Sequence, residues 1–243
     1  MAGNQPPLDI VELLPDLLRE VSPRPSELTI FELSVPPEAQ KRVVHRPELK
    51  AVIEAALRLR SEHGVPFWDA MMLNSLSQPE DIRSVLLDAS GLHQPMSTAV
   101  VQHRLSIADL SPLALRSLLA KAQEGNISVV SSRLLMPDGT ESHLPLLDFR
   151  LPVSASSSVI IEDIVRRLGF SGLVLESGNS YHFYGRSLLS ASEMREFLGR
   201  AILYAPIVDY RWIAHQLVEG ACALRISKGK AFAYSPRIVL EIR

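Results

Sequence analysis

The feature that most constrains this chain is a recurring order after Gly125, in which two strand-like runs joined by a tight turn give way to a helix. Ile127–Met136 and Glu141–Leu151 meet at Pro137-Asp138-Gly139-Thr140, where Asp-Gly supplies the positive φ that a short hairpin turn demands. Helical spacing follows in Ile161, Ile164, Val165 and Leu168, with Gly169 as its stop. A second hairpin spans Gly172–Tyr184 and turns at Gly178-Asn179. Ser190 and Glu193 then form a capping box for a helix carrying Met194, Phe197, Leu198, Ala201 and Ile202, which Pro206 ends. A short helix from Asp209 to Gly220 and two strands, Ala221–Ser227 and Phe232–Ile242 around Lys228-Gly229-Lys230, complete the series. Hairpin, helix, hairpin, helix, hairpin implies an α+β fold with an antiparallel or mixed sheet and packed helices.

The first 125 residues read differently. A Pro-rich lead-in precedes one alternating run, Leu28–Val35, stopped by Pro36-Pro37. Pro47 then opens a helix on Leu49, Val52, Ile53, Ala56 and Leu57. Ser77-Gln78-Pro79-Glu80 resembles a capping box before Ile82, Val85 and Leu86, and Ser111-Pro112 starts a helix on Leu115, Leu118 and Leu119. The spacing predicts a mainly helical region over 1–125 and an α+β region over 126–243.

Composition removes several classes of function. With a formal charge of −2, the chain is not coated with basic residues for nucleic acid. Residues 126–243 hold 13 Lys and Arg against 11 Asp and Glu, so a nucleic-acid contact has to come from a local patch. No apolar run reaches the roughly 18 residues that span a bilayer. Met1 to Asp16 carries acids where a secretion signal is basic and then apolar, so a cytoplasmic, unprocessed protein is expected. The single cysteine, Cys222, excludes a disulfide framework and reads as core. The seven His lack metal-ligand spacing, and neither a Walker A loop, a dinucleotide fingerprint nor a Gly-x-Ser-x-Gly elbow occurs.

The hairpin around Gly178-Asn179 carries the chemistry. Ser180 and His182 are alternate residues of its return strand, so both point to one face, and a hydroxyl with an imidazole suits an anionic ligand such as a phosphate.

Leu146-Leu147-Asp148-Phe149-Arg150, Ser180-Tyr181-His182, Val208-Asp209 and then Arg225 and Ser227 follow one another in an order that resembles the archaeo-eukaryotic primase superfamily. The resemblance covers residues 127–243. It implies a palm-like sheet that binds a nucleoside triphosphate or nucleic acid and, if active, performs Mg²⁺- or Mn²⁺-dependent nucleotidyl transfer. Residue by residue, it makes Asp148 and Asp209 catalytic metal ligands, and Ser180, His182 and Arg225 contacts to nucleotide phosphates. Where the family's first motif has a second acid, this chain has Arg150, which cannot ligate a cation, unless Glu176 or another acid substitutes. A protein partner is expected, if anywhere, on the N-terminal region.

Each residue also admits a structural role. Asp148 fits a cross-strand pair, Asp209 a helix N-cap before Tyr210-Arg211-Trp212, and His182 the margin of the Tyr181, Phe183, Tyr184 cluster. Two functions therefore stand at this point: a metal-dependent nucleotidyltransferase, or a binding or interaction module of the same fold without the chemistry.

Overall fold

A computed structural model describes residues 7–34, 47–91, 96, 99–123, 125–228 and 233–243. The chain divides into two compact units, one of Met1–Ser34 with Pro95–Arg243 and one of Val35–Gln94. The boundary expected after residue 125 thus falls inside the larger unit. The class is α+β, as the alternation of hairpins and helices predicts.

The larger unit begins with α1 (Ile10–Glu20), capped by Asp9, whose Oδ1 accepts from the amides of Val11 and Glu12 at 3.0 and 3.2 Å. Its Ile10, Leu14, Leu17 and Leu18 are buried, so the lead-in is an amphipathic helix. Two antiparallel sheets follow. The first has the order β2-β1-β3-β4, built from β1 (Glu27–Ser34), β2 (Val101–Ser106), β3 (Asn126–Leu135) and β4 (Glu141–His143), with β8 (Ala223–Arg225) also paired to β3. The second has the order β5-β7-β6-β9, from β5 (Leu146–Asp148), β7 (Tyr181–Gly185), β6 (Gly172–Glu176) and β9 (Arg237–Ile242). Strand β2 has no counterpart among the sequence expectations, because Gln102, His103 and Arg104 hide its period of two. As an edge strand it needs only one half-buried side.

Two expected elements divide between the sheets. The run Glu141–Leu151 is not one strand: its first part ends in β4 and its second enters the other sheet as β5, with Pro145 between them. Proline lacks the N–H that a continuous ladder needs. The crossing is tight, since Gly185 donates to the Pro145 carbonyl at 2.8 Å and a Cβ on Gly185 would lie 2.8 Å from the proline ring. Likewise Ala221–Ser227 and Phe232–Ile242 do not pair with each other. β8 joins β3 and β9 joins β6. The turn residues Gly229 and Lys230, Phe232, and the Pro36-Pro37 stop lie outside the described residues.

The helices follow their local signals. α5 (Pro112–Leu119) is capped by Ser111 and α6 (Ala155–Leu168) by Ser154. α7 (Ala191–Ile202) carries the full Ser190–Glu193 capping box, and α8 (Tyr210–Glu219) starts on Asp209. Such caps contribute about 0.5–2 kcal/mol each. α6 lies against β9, α7 against β4 and α8 against β5. Cys222 is fully buried, and burial pushes its thiol up to about 12, in keeping with a core role.

The smaller unit is a 3₁₀ turn, Pro47–Leu49, followed by α2 (Lys50–His63), α3 (Phe67–Ser75) and α4 (Glu80–Gly91). Its own core comprises Leu49, Val52, Ile53, Ala56, Phe67, Ala70, Met71 and Leu86, and Trp68 packs edge-on against Phe67 with ring centroids 5.4 Å apart. Leu57, expected on the same apolar stripe, is exposed. Among the described residues no helix is long and apolar enough to cross a membrane.

Candidate functional site

Sheet register brings the first two candidates together. Asp148 on β5 pairs with His182 on β7, which pairs in turn with Leu175 on β6, so the three share one row and one face. His182 Nε2 lies 3.7 Å from Asp148 Oδ1. The imidazole is buried, and loss of water together with the nearby Arg225 guanidinium draws its pKa down to about 3, so it is neutral at physiological pH. Asp148 moves the other way. Although 27% of its side chain meets solvent, protein surrounds the carboxyl on its other sides; burial first and the Asp209 carboxylate second raise its pKa well above the usual range. His182 Nδ1 makes no hydrogen bond among the described residues.

Asp209 reaches this row through the backbone. Beyond β5 the chain runs beside residues 207–209: Phe149 bridges Val208, Arg150 N–H donates to the Ile207 carbonyl at 2.8 Å, and Asp209 N–H donates to the Asp148 carbonyl at 2.9 Å. Two acids 61 positions apart in sequence are thereby neighbours. Asp209 Oδ1 caps α8, accepting from the amides of Arg211 and Trp212 at 3.0 Å each. Its Oδ2 lies 3.9 Å from Arg150 Nε. The Arg150 guanidinium also covers the Tyr210 ring, 5.3 Å from its centroid.

The other candidates are engaged by the protein itself. Ser180 stands at the end of the turn and gives its hydroxyl proton to the Phe149 carbonyl at 2.5 Å. Arg225, buried, donates through Nη1 to the carbonyls of Ser227 and Tyr234, the latter at 3.1 Å, and through Nη2 to that of Ser177. In this arrangement its guanidinium clamps three backbone carbonyls. Its positive charge remains close enough to act on both Asp148 and His182. Glu176 does not enter the row. It pairs with Tyr181, one residue out of phase with His182, and its carboxylate accepts the Tyr234 hydroxyl proton.

With that geometry in view, the comparison with known families is decisive at the level of the fold. The model of the archaeo-eukaryotic primase 1D-like family matches residues 106–234. The chain belongs to that family. No curated protein and no solved structure matches it. The matched stretch begins at the last residue of β2, takes in β3 to β8, and contains all five candidate residues of this primase-like chain.

A two-ion centre of the polymerase kind needs several carboxylates to hold both cations. This primase-like site offers two, one of which has an oxygen committed to a helix N-terminus and the other oxygen turned toward a guanidinium. Among the described residues no three His, Cys, Asp or Glu side chains converge as metal ligands. The residues present do not fit a two-ion centre. Tyr234 and Ser177, which hold Glu176 and Arg225 in place, carried no sequence signal, because their partners come from other segments of the fold.

Proposed function

We propose that this primase-like protein binds a nucleoside triphosphate or a phosphate-bearing nucleic-acid end beside the Asp148–His182 row, without metal-dependent nucleotidyl transfer. The observation that carries this reading is the Arg150–Asp209 pair. A divalent ion about 5 Å from a guanidinium meets repulsion on the order of 6 kcal/mol at an effective dielectric near 20. The same guanidinium is the group suited to a phosphate, which it can hold through two N–H donors. His182, neutral and without a partner for Nδ1 among the described residues, supports the reading as a hydrogen-bonding group for a ligand rather than a fixed charge.

The test is a thermal-shift panel of nucleoside triphosphates with and without Mn²⁺, run alongside primer synthesis and extension. Stabilisation by triphosphate that persists in EDTA and is lost in Arg150→Ala supports a binding module. A second reading, an active nucleotidyltransferase, draws on the juxtaposition of Asp148 and Asp209. Mn²⁺-dependent primer extension that disappears in Asp148→Ala establishes that reading and removes the first.

A further inference from the structure

Among the described residues, several strand edges of the two sheets carry hydrogen-bonded neighbours. β9 is covered by the N-terminal segment, where Ile238 N–H donates to the Leu8 carbonyl at 2.9 Å and Ile10 N–H to that of Pro236 at 2.8 Å. β5 is covered by residues 207–209, as above. β4 exchanges two bonds with Leu189, at 2.7 and 2.9 Å, through His143. On β8, the Ala223 carbonyl accepts from Trp212 Nε1 at 3.1 Å and the Ala223 amide donates to Gln216 Oε1 at 2.8 Å. Among the described residues, no further strand pairs with the outer edge of β2. Ile107 N–H donates to the Ser26 carbonyl, so in this antiparallel ladder residues 101, 103, 105 and 107 bond inward to β1. The N–H and C=O of Gln102 and Arg104, and the N–H of Ser106, point outward with no hydrogen-bond partner among the described residues.

An open edge is a template for another strand, and proteins that leave one unused protect it with a proline, a bulge, a very short strand or charged side chains, so the charge on β2, at Arg104, selects against some strands and for others. β2 has six residues, no proline and an uninterrupted register against β1. Its side chains alternate: Val101, His103 and Leu105 are half-buried, while Gln102, Arg104 and Ser106 are exposed. Arg104, at the centre of the edge, makes no ion pair among the described residues.

We propose that the β2 edge takes up an extended strand of a protein partner in which apolar residues alternate with acidic ones. The apolar positions continue the half-buried row of Val101, His103 and Leu105, and the acidic positions face Arg104 across the new ladder. A second copy of β2 centred on the same edge sets Arg104 against Arg104, a like-charge pair that opposes self-association. The surface is separate from the Asp148–His182 row and does not depend on its function.

The test uses the full chain and a fluorescein-labelled peptide of alternating valine and glutamate, with the valine–lysine peptide as its control, read by anisotropy. Binding of the acidic peptide at least about tenfold tighter than the basic one is expected, with slowed amide exchange at Gln102 and Arg104. Arg104→Pro deletes one outward N–H and leaves the β1 ladder whole, so it abolishes binding while the circular dichroism spectrum is kept. Arg104→Glu, which does not alter the backbone, inverts the preference between the two peptides. Failure of the acidic peptide to bind, or an unchanged preference in Arg104→Glu, overturns the proposal. So does a dimer in sedimentation that Arg104→Pro dissociates, since the edge then belongs to a second copy.

Discussion

Two buried histidines, one in each sheet, have opposite surroundings. His143, on β4, is 2% exposed and its Nδ1 lies 3.3 Å from Ser132 Oγ, which also accepts the Cys222 amide at 2.8 Å. His182, on β7, is 6% exposed; its Nδ1 has no partner among the described residues, and its Nε2 faces the Asp148 carboxyl at 3.7 Å. Burial lowers the pKa of both. The first imidazole completes a network that joins β3, β4 and the start of β8. The second is held in place by its strand and left incomplete, and an incomplete buried polar group costs stability unless a ligand satisfies it. A hydrogen-bonded His in a sheet is architecture; an unsatisfied one beside an acid is what the proposed ligand site requires.

Acid titration puts the heaviest load on that contrast. His182 has a folded pKa near 3 against about 6.5 unfolded, so its neutral form stabilises fully above pH 6.5. That contribution is lost as pH falls below 6.5, because the unfolded chain takes up the proton first, at up to about 1.4 kcal/mol per pH unit. Urea unfolding from pH 7 to pH 4 should show His182→Leu losing roughly 3 kcal/mol less than the wild type. Equal slopes in the two proteins would break the comparison.

A smaller effect is expected at pH 7, where the two sites can be compared directly. His143→Leu leaves the Ser132 hydroxyl without its imidazole and should cost about 1–3 kcal/mol in urea unfolding. His182→Leu removes an unsatisfied group and should leave stability unchanged or raise it, by up to about 1–3 kcal/mol. Matching losses at both positions would mean that His182 is as structural as His143.

The smallest change sharpens the role of the acid. The raised pKa of Asp148 means that its ionised form destabilises the fold: folding is favoured below that pKa and penalised as pH rises through it. Asp148→Asn should therefore stabilise the protein at pH 7 by about 1 kcal/mol, or about 3 °C in Tm, measured by calorimetry. A destabilised Asp148→Asn would show that the carboxylate is a structural partner of His182.

Much of the architecture was legible because its signals are short-range. Asp138-Gly139 and Gly178-Asn179 turn the hairpins, Ser111, Ser190 and Asp209 start helices, and Gly169 ends one. The pairing of Ser180 with His182 on one face also follows from the strand period. Strand β2 escaped because polar residues mask an edge, and the division of Glu141–Leu151 escaped because a proline inside a strand-like run does not say where the chain goes next. In the site, the N-cap role of Asp209 was readable beside the metal-ligand role that the resemblance implied. The clamp made by Arg225 was not, since two of its acceptors, Ser177 and Tyr234, lie outside its strand and meet it only in the fold.

By itself the sequence determined most of the helices, the hairpin turns, the caps at Ser111, Ser190 and Asp209, and the presence of a guanidinium where a second acid was expected, because each of these depends on neighbours within a few residues. Only the tertiary structure decided which ladder each strand joins, that Asp148 stands beside both His182 and Asp209, and that Arg150 lies against Asp209. Those outcomes rest on backbone hydrogen bonds and charges between segments tens of residues apart, and no local pattern in the chain encodes the partner.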